Sequence, residues 1–307
     1  MEEQPAPRVV RARWLGRMAY RDAWGLQRTL AAARADGTLD EDQLLLLEHD
    51  AVLTLGRNAR DEHVLALPTL LAARGIEVVR VERGGEVTYH GPGQLVAYPI
   101  VALAAPGANA DPAARRPLGV RPFVEALEGA MADTCATFGV AAGARVGHPG
   151  CWVEPQGPLP RKVGALGIRV ARGVSFHGIA VNVTTNLADF ELIDPCGMPG
   201  LRSTSLAHER ARAERTSPDE PPSTESVARA AAAFAPALVR RLGFRLAGDL
   251  PPDADASRGR RELEALVEGL RGRPTDPGTA GDAEGGPSAA SGLHPAHDPL
   301  PVPAGSR

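Results

Sequence analysis

A cysteine at position 196 and a lysine at position 162 have the surroundings that group-transfer chemistry needs. Cys196 lies in the segment DPCGMPG (194–200), where proline and glycine on both sides predict a tight turn that holds the thiol rigid and accessible. The thiolate is the reactive form of cysteine, and it needs a cation or a base nearby. The sequence therefore predicts a nucleophile at this turn.

Lys162 is the one lysine of the chain, because every other member of its 34 lysines and arginines is arginine. A composition bias can replace lysine by arginine only where a permanent cation suffices, since arginine does not lose its proton. Lys162 begins the segment KVGALGIR (162–169), among small and apolar residues. Burial makes a lysine amine a usable base. We expect a functional amine here; an exposed cation at a strand edge is the alternative.

Two further segments carry residues that could form a site. RGGEVTYHGPGQ (83–94) joins two predicted strands, and its glycines permit close approach of the backbone to a ligand. It matches neither a dinucleotide-binding nor a phosphate-binding loop, which weakens a nucleotide-dependent reading. FHGIAVNV (176–183) places His177 before a buried-looking strand, and a structural histidine is the preferred interpretation over a catalytic one.

The other cysteines and the histidines do not indicate a metal site. Cys135 falls on the apolar face of a predicted helix and Cys151 begins an apolar strand, so both are expected to be structural. His148 and Cys151 have the spacing of a ligand pair, but no second close pair accompanies them, as a zinc site would require. We expect no metal and no cofactor.

Hydrophobic periodicity predicts an α+β fold with one mixed sheet in a single domain. Residues 1–11 are expected to be flexible, 12–248 to form the domain, and 249–307 to be a largely disordered, proline- and glycine-rich tail with a short helix at 259–270. Loops are predicted at 104–118 and 208–222. Helices are predicted at 20–36, 67–74, 121–138 and 223–242, and strands at 44–48, 52–55, 76–81, 95–103, 151–154, 161–170 and 174–183.

Composition excludes several classes of protein. The net charge of −3 gives no sign of nucleic-acid binding, and 43% hydrophobic residues with 23% charged ones are ordinary for a globular chain. No apolar run is long enough for a transmembrane helix, and the acidic start is not a secretory signal. Three cysteines are too few for a disulfide scaffold. We therefore predict a cytoplasmic protein without membrane contact.

Taken together, RGGEVTYHGPGQ, KVGALGIR, FHGIAVNV and DPCG resemble the lipoyl(octanoyl) transferases, with LTLGR (53–57) as a weaker match. The order and spacing of the segments fit that family over most of residues 12–245. The resemblance implies a fold similar to the catalytic domain of biotin protein ligases and lipoate ligases. It also implies an acyltransferase without ATP, with Cys196 as nucleophile and Lys162 as base. The substrate-binding residues it implies are Arg83, Gly84, Gly85, Glu86, Val87, Thr88, Tyr89, His90, Ala165, Leu166, Gly167, Gly178, Ile179 and Ala180.

The same resemblance implies the substrates. The donor would be octanoyl-acyl carrier protein, and the acceptors would be the lipoyl domains of 2-oxoacid dehydrogenase E2 subunits and the glycine cleavage H protein. The family suggests a monomer. Three alternatives stay open. The first is an ATP-dependent lipoate-protein ligase, which would need no cysteine, and the second is a non-catalytic relative that only binds acyl carrier protein or lipoyl domains. The third and most distant is a Cys-His hydrolase on an unrelated fold. Replacing Cys196 by serine would leave a ligase active and inactivate a transferase.

Overall fold

The computed structural model describes residues 7–103, 118–194, 202–215 and 224–271 of the 307-residue chain. Two short 3-10 helices lie at Asp61–His63 and Leu187–Leu192. The strands are β1 (Val9–Met18), β2 (Asp42–His49), β3 (Val52–Leu55), β4 (Glu77–Arg80), β5 (Val87–His90), β6 (Gln94–Ile100), β7 (Ala142–Arg145), β8 (His148–Val153), β9 (Arg161–Ala171), β10 (Val174–Asn182), β11 (Arg202–Ser203) and β12 (Arg245–Leu246). The helices are α1 (Tyr20–Asp36), α2 (Pro68–Ala73), α3 (Val120–Thr137), α4 (Leu206–Glu214), α5 (Thr224–Leu242) and α6 (Ala256–Arg271).

A central sheet orders the described strands as β12-β1-β2-β6-β10-β9-β8-β7, with β11 paired to β9. Pairing is parallel between β12 and β1, β1 and β2, and β11 and β9, and antiparallel elsewhere in this sheet. A smaller sheet has the order β4-β3-β5, and β5 is the part of the glycine-rich segment that forms a strand. The predicted α+β fold with a mixed sheet is confirmed.

Helices cover both faces of the central sheet. On one face the predicted amphipathic helix α3 buries Phe123 and Met131 together with Phe234 of α5. On the other face Leu30 of α1 and Leu263 of α6 pack against strand residues such as Leu45. Burial of each such side chain stabilises the folded protein by about 1.5–3 kcal/mol. Because these side chains lie on both faces of the central sheet, the sheet is the centre of the core.

The predicted helices at 20–36, 67–74, 121–138 and 223–242 are present, but two predicted irregular segments are wrong in part. Residues 9–11 belong to β1 rather than to a flexible terminus, because Val10 pairs with Asp42 and is buried. Residues 208–214 belong to α4 rather than to a loop, and the hydroxyl oxygen of Ser205 accepts a hydrogen bond from the backbone N–H of His208 at its start. Residues 104–117 and 216–222 lie outside the described residues.

The ordered chain also extends beyond the predicted start of the tail. Helix α6 is longer than the predicted 259–270 and buries Leu263 and Val267. The close approach of Gly259 to the carbonyl oxygen of Trp14 explains why this helix can lie against β1. No helix among the described residues is long and apolar enough to cross a membrane.

Candidate active site

A pocket is walled by β5 and the glycine-rich segment on one side and by β9 and β10 of the central sheet on the other. Lys162 belongs to its wall, as do all the predicted substrate-binding residues except Gly84 and Tyr89. The remaining lining residues, which sequence reasoning did not place in the site, are Tyr20, Gln94, Tyr98, Gly164, His177, Asn182, Phe190 and Ser203.

The two exceptions have other functions in the fold. The ring of Tyr89 lies 5.5 Å from that of Phe190, edge to face, and is buried in the core of the small sheet. The backbone N–H of Gly84 donates to the carbonyl oxygen of Ile168 at 3.0 Å, so Gly84 joins the glycine-rich segment to β9. Both residues therefore shape the pocket from behind its wall. Cys196 lies outside the described residues.

Lys162 is held by strand pairing on both sides of β9. It is opposite Trp152 of β8 and Ser203 of β11 in the pairing register, and its carbonyl oxygen accepts from the backbone N–H of Thr204 at 2.9 Å. Its Nζ lies 5.2 Å from the centre of the Trp152 ring, within the range of a cation–π contact. These contacts fix both the backbone and the amine of Lys162 in the wall of the pocket.

A glycine with a special conformation lies behind Lys162. Gly150 has a φ of 123°, a region that side-chain-bearing residues rarely adopt. A Cβ there would collide with the carbonyl oxygen of Gly164 and would come within 2.9 Å of the Cε of Lys162. The backbone N–H of Gly150 donates to Glu128 at 2.9 Å. The Lys162 side chain thus occupies space that only glycine at position 150 leaves open.

The glycine-rich segment is fixed to β3 by Arg83. Its guanidinium donates to the hydroxyl oxygen of Thr54 at 2.9 and 3.2 Å and to the Thr54 carbonyl oxygen at 2.6 Å. Gly56 approaches the carbonyl oxygen of Gly85 so closely that a Cβ would collide with it. This contact gives a physical reason for the glycine in LTLGR, which lies next to RGG.

A directional chain of hydrogen bonds runs from His90 in the pocket wall to Thr204, the residue after β11. His90 Nδ1 lies 2.7 Å from Gln94 Oε1, and Gln94 Nε2 donates to Asn182 Oδ1 at 2.9 Å. Asn182 Nδ2 then donates to the Thr204 carbonyl oxygen at 2.9 Å. Since an amide oxygen only accepts, His90 donates from Nδ1 and keeps Nε2 as an acceptor. Burial lowers the pKa of His90 to about 3, so the ring is neutral at neutral pH.

Aromatic and imidazole rings pack together beside His90. The Tyr20 ring stacks on that of His90 with centroids 6.1 Å apart, and His49 lies 5.0 Å from Tyr20. Nδ1 of His49 lies 3.0 Å from the Met18 carbonyl oxygen and must donate, so Nε2 accepts from the Tyr98 hydroxyl at 2.7 Å. Burial lowers the pKa of His49 to about 4. His90 in the pocket wall and His49 behind it are therefore polar but uncharged.

His177 is placed in the pocket wall, which the preferred structural reading did not anticipate. It has a left-handed φ of 54° within β10, and its backbone N–H donates to Gln27 Oε1 at 2.8 Å. The side chain is only 1% exposed, and neither ring nitrogen has a hydrogen-bond partner among the described residues. Glu82 Oε2 is 3.8 Å from Nε2, beyond hydrogen-bond distance. Burial lowers the pKa of His177, so the ring is neutral.

The chain on either side of 195–201 is anchored close to the pocket. On the N-terminal side, Ile193 bridges to Val64 and the backbone N–H of Asp194 donates to the His63 carbonyl oxygen at 2.8 Å. On the C-terminal side, β11 pairs with the first two residues of β9. Hence the described residues on both sides of 195–201 are fixed, and those on the C-terminal side lie beside Lys162.

A buried ion pair strengthens the attachment of β11, which lies on the C-terminal side of 195–201. Arg161 donates to both carboxylate oxygens of Glu209, at 2.7 and 3.0 Å, and the hydroxyl of Thr204 donates to the same carboxylate at 2.6 Å. Arg161 and Glu209 are each 7% exposed. Paired charges with further hydrogen bonds are tolerated in the interior, whereas loss of one partner is costly. The pair therefore fixes α4 and β11 against the strand that carries Lys162.

The two described cysteines have the properties expected of structural residues. Cys135 and Cys151 are fully buried and belong to the core between α3 and the central sheet. A hydrogen bond with Cys135 and burial raise the pKa of the Cys151 thiol far above its usual range. Cys151 therefore stays a thiol at physiological pH. No group of three or more histidine, cysteine, aspartate or glutamate residues in the described chain could hold a metal ion.

Comparison with known proteins agrees with the motifs. The family model described as "Lipoyl protein ligase A/B catalytic domain" matches residues 19–232. The octanoyltransferase of Acidobacterium capsulatum is 47% identical over 193 residues, which cover 62% of this chain and 77% of that relative. The octanoyltransferase of Chloroflexus aurantiacus strain J-10-fl is 44% identical over 207 residues, 67% of this chain and 86% of that relative.

Solved structures share the fold at low identity. A lipoate-protein ligase A bound with ATP aligns with a TM-score of 0.55 and 15% identity, over 86% of this chain and 94% of that chain. A bipartite lipoate protein ligase from Thermoplasma acidophilum aligns with a TM-score of 0.52 and 14% identity, over 86% of this chain and 93% of that one. Identities this low support the fold alone.

Proposed function

The chain belongs to the octanoyltransferases within the lipoyl protein ligase A/B catalytic domain family, so it is an octanoyl-transferring enzyme of protein lipoylation, and we propose the following donor, acceptor and mechanism for it. The donor is the octanoyl thioester of acyl carrier protein. The acceptors are lysines of the lipoyl domains in 2-oxoacid dehydrogenase E2 subunits and of the glycine cleavage H protein. The enzyme acts as a monomer in the cytoplasm.

In the proposed first step the thiolate of Cys196 attacks the thioester carbonyl of the donor. The carbon–sulfur bond to the phosphopantetheine arm breaks, and that sulfur leaves as a thiol after taking up a proton. Lys162, as an ammonium, stabilises the Cys196 thiolate before the attack and supplies this proton. The product is an octanoyl thioester on Cys196.

In the second step the acceptor lysine attacks the acyl-enzyme as a neutral amine. The new carbon–nitrogen bond forms, the bond to Cys196 breaks, and Lys162 takes the proton that the amine loses. An amide replaces a thioester, so the transfer needs no ATP. Arginine at position 162 could stabilise a thiolate but could not accept this proton.

One observation carries the proposal, the position of Lys162 in the wall of the pocket that the predicted acyl-binding residues line. Lys162 is also opposite Ser203 in the register of β9 and β11, and Ser203 is seven residues after Cys196 in the chain. Seven residues span at most about 25 Å when extended, which leaves the cysteine within reach of the amine.

The decisive experiment mixes the full-length protein with octanoyl-acyl carrier protein in the absence of ATP and records the intact mass. We expect one octanoyl adduct, located on Cys196 by peptide mapping and removed by an apo lipoyl domain that gains the same mass. Cys196→Ser should give no transferable adduct. Cys135→Ser, which changes a buried cysteine, is the matched control and should keep the adduct. An adduct that maps to Cys135 or Cys151 contradicts the mechanism.

A further inference from the structure

One of the three tryptophans in the chain is buried outside the apolar core. Trp152 of β8 is 3% exposed, yet it belongs to none of the clusters of buried apolar side chains that the described residues form. Its neighbours Cys151 and Val153 both belong to the core between α3 and the central sheet. Because successive side chains of a strand point to opposite faces, Trp152 lies on the other face of the sheet.

That face also carries the Lys162 side chain. Trp152 and Lys162 are opposite each other in the antiparallel register of β8 and β9. Side chains at directly opposite positions share a face of the sheet, with Cβ atoms about 4.5–5.5 Å apart. The Lys162 Nζ lies 5.2 Å from the centre of the indole ring. The lysine that lines the pocket therefore has its amine beside this ring.

Cationic and polar groups contact the ring. The guanidinium of Arg145 is 5.5 Å from its centre, and the imidazole ring of His148 lies edge to face with it at 6.0 Å. The indole N–H donates to the His148 carbonyl oxygen at 3.0 Å, which fixes the orientation of the ring. Both cations are within about 6 Å, the range of a cation–π contact, and tryptophan is the side chain that makes this contact best. Trp152 is therefore a fixed aromatic surface for cations.

Lys162 is the one of these two cations that lines the pocket. A lysine side chain has a flexible stem, so holding its amine in one place costs rotamer entropy. A cation–π contact of a partly buried ammonium is comparable in size with that cost and can offset it. Trp152 itself does not line the pocket, so it can affect the transfer through Lys162 but not by touching the acyl group.

We propose that Trp152 is a positioning residue of the transfer reaction, in which the face of the indole ring holds the Lys162 amine where it exchanges protons with the reacting groups. The contact needs the aromatic face, because an apolar side chain fills space but does not attract an ammonium. This inference rests on the proposed function, since it takes Lys162 to be the group that donates and accepts the proton.

The contact itself can be measured without any substrate, because Lys162 is the one lysine of the chain. Full-length protein with 13C at the lysine Cε gives a single labelled side-chain NMR signal. Protons next to the face of an aromatic ring resonate upfield of their position in the unfolded chain. We expect an upfield shift in the wild type that Trp152→Leu abolishes and Trp152→Phe retains in part. A wild-type signal at the position of the unfolded chain would overturn the proposal.

The consequence for the reaction is measured as the single-turnover rate of Cys196 acylation at saturating octanoyl-acyl carrier protein. Trp152→Leu should slow this step by about 10- to 100-fold, since a misplacement of about 1 Å in a catalytic group can cost that much. Trp152→Phe keeps an aromatic face and should stay within about fivefold of the wild type. Equal losses in the two variants would mean that the ring only fills space, and would contradict the proposal.

A double-mutant cycle shows whether Trp152 acts through the amine. Lys162→Met keeps an unbranched side chain but removes the ammonium, so Trp152→Leu should cause no further loss of the acylation rate in that background. A purely structural effect of the tryptophan would lower the rate by the same factor in both backgrounds, and that result would overturn the proposal.

Trp14→Leu is the matched control for the loss of a buried indole ring. Trp14 of β1 is 4% exposed, belongs to the core of the same sheet and does not line the pocket. At temperatures where this variant stays folded, it should keep both the upfield lysine signal and the wild-type rate. Loss of either would trace the effect to general loosening of the sheet and would contradict a specific function of Trp152.

The outcomes separate this inference from the proposed function. If the wild type transfers octanoyl and Trp152→Leu acylates at the same rate, the inference is overturned and the proposed function stands. If the wild type transfers no octanoyl, the proposed function fails, and the lysine signal then decides whether the ring holds the amine. If Trp152→Leu does not fold, an unshifted wild-type signal still overturns the inference, and an upfield signal that Trp152→Phe reduces supports it.

Discussion

Replacing Gly150 by alanine tests the function assigned to Lys162 while leaving the lysine itself unchanged. The new methyl group would collide with the Gly164 carbonyl oxygen and would come within 2.9 Å of the Lys162 Cε. The positive φ of 123° adds about 1–2 kcal/mol for any residue with a Cβ, and overpacking adds about 1–3 kcal/mol. We expect Gly150→Ala to lower the free energy of unfolding by about 2–5 kcal/mol.

Two neighbouring glycines provide controls that divide this magnitude. Gly147 also has a positive φ, 76°, but a Cβ there meets nothing within 4 Å, so Gly147→Ala should cost only the backbone contribution of about 1–2 kcal/mol. Gly143 has neither constraint, and Gly143→Ala should change stability by less than about 1 kcal/mol. The difference between Gly150→Ala and Gly147→Ala measures the collision together with the extra backbone cost of a φ of 123° over one of 76°.

Urea denaturation of the three variants gives the free energies, and single-turnover acylation gives the effect on Lys162. At temperatures where Gly150→Ala stays folded, we expect acylation of Cys196 to slow by about 10- to 100-fold, since a shift of about 1 Å in a catalytic group can cost that much. Gly147→Ala and Gly143→Ala should acylate at the wild-type rate. Equal stability of Gly150→Ala and Gly147→Ala would refute the steric argument. A destabilised Gly150→Ala with an unchanged rate would refute the dependence on the position of Lys162.

Three further predictions concern the surroundings of the site. Glu209→Gln should destabilise the protein by about 3 kcal/mol in urea denaturation, because Arg161 loses the carboxylate that it contacts twice; an unchanged midpoint would contradict this. Acidification should also destabilise it, because the pKa values of His49 and His90 are depressed in the folded state and the unfolded chain takes up protons first as the pH falls below about 6.5. Each ring should contribute about 2 kcal/mol of this loss at pH 5, measured as the difference between denaturation at pH 7 and pH 5, and His90→Gln should reduce the slope. Leu263→Ala in α6 should cost about 2–4 kcal/mol, whereas a freely disordered segment would show no change.

The sequence predicts the pocket wall where its motifs are continuous in the chain. KVGALGIR, FHGIAVNV and the glycine-rich segment occur as short blocks, and the fold brings them together because β9 and β10 are adjacent antiparallel strands. Residues that complete the wall singly carry no such signal. Tyr20, for example, stands at the start of α1, where it reads as an ordinary helix residue. Gln94 and Asn182 lie inside two of the blocks, but their hydrogen bond joins positions 88 apart, which neither block shows.

The error at 208–214 has a physical cause, which is that a polar composition does not by itself mean exposure. Charged residues crowd residues 208–214, yet Glu209 is buried because Arg161, far away in the chain, neutralises it. Likewise, His177 reads as a structural residue from its apolar neighbours, and only the three-dimensional arrangement shows that its nitrogens lack partners. Such pairing depends on long-range contacts that a window of sequence does not contain.

An irregularity in β9 explains why strand alternation could not show which face carries Lys162. Between β8 and β9 the register runs from Cys151 opposite Gly164 to Trp152 opposite Lys162, so one residue of β9, Val163, has no counterpart. Strict alternation would put Trp152 opposite Val163 and would change the face of everything before it. The extra residue instead buries Val163 in the core while Lys162 lines the pocket. Deleting Val163 would therefore shift Lys162 relative to β8 and β11. A lysine introduced elsewhere on β9 would restore the charge but not the position of the amine.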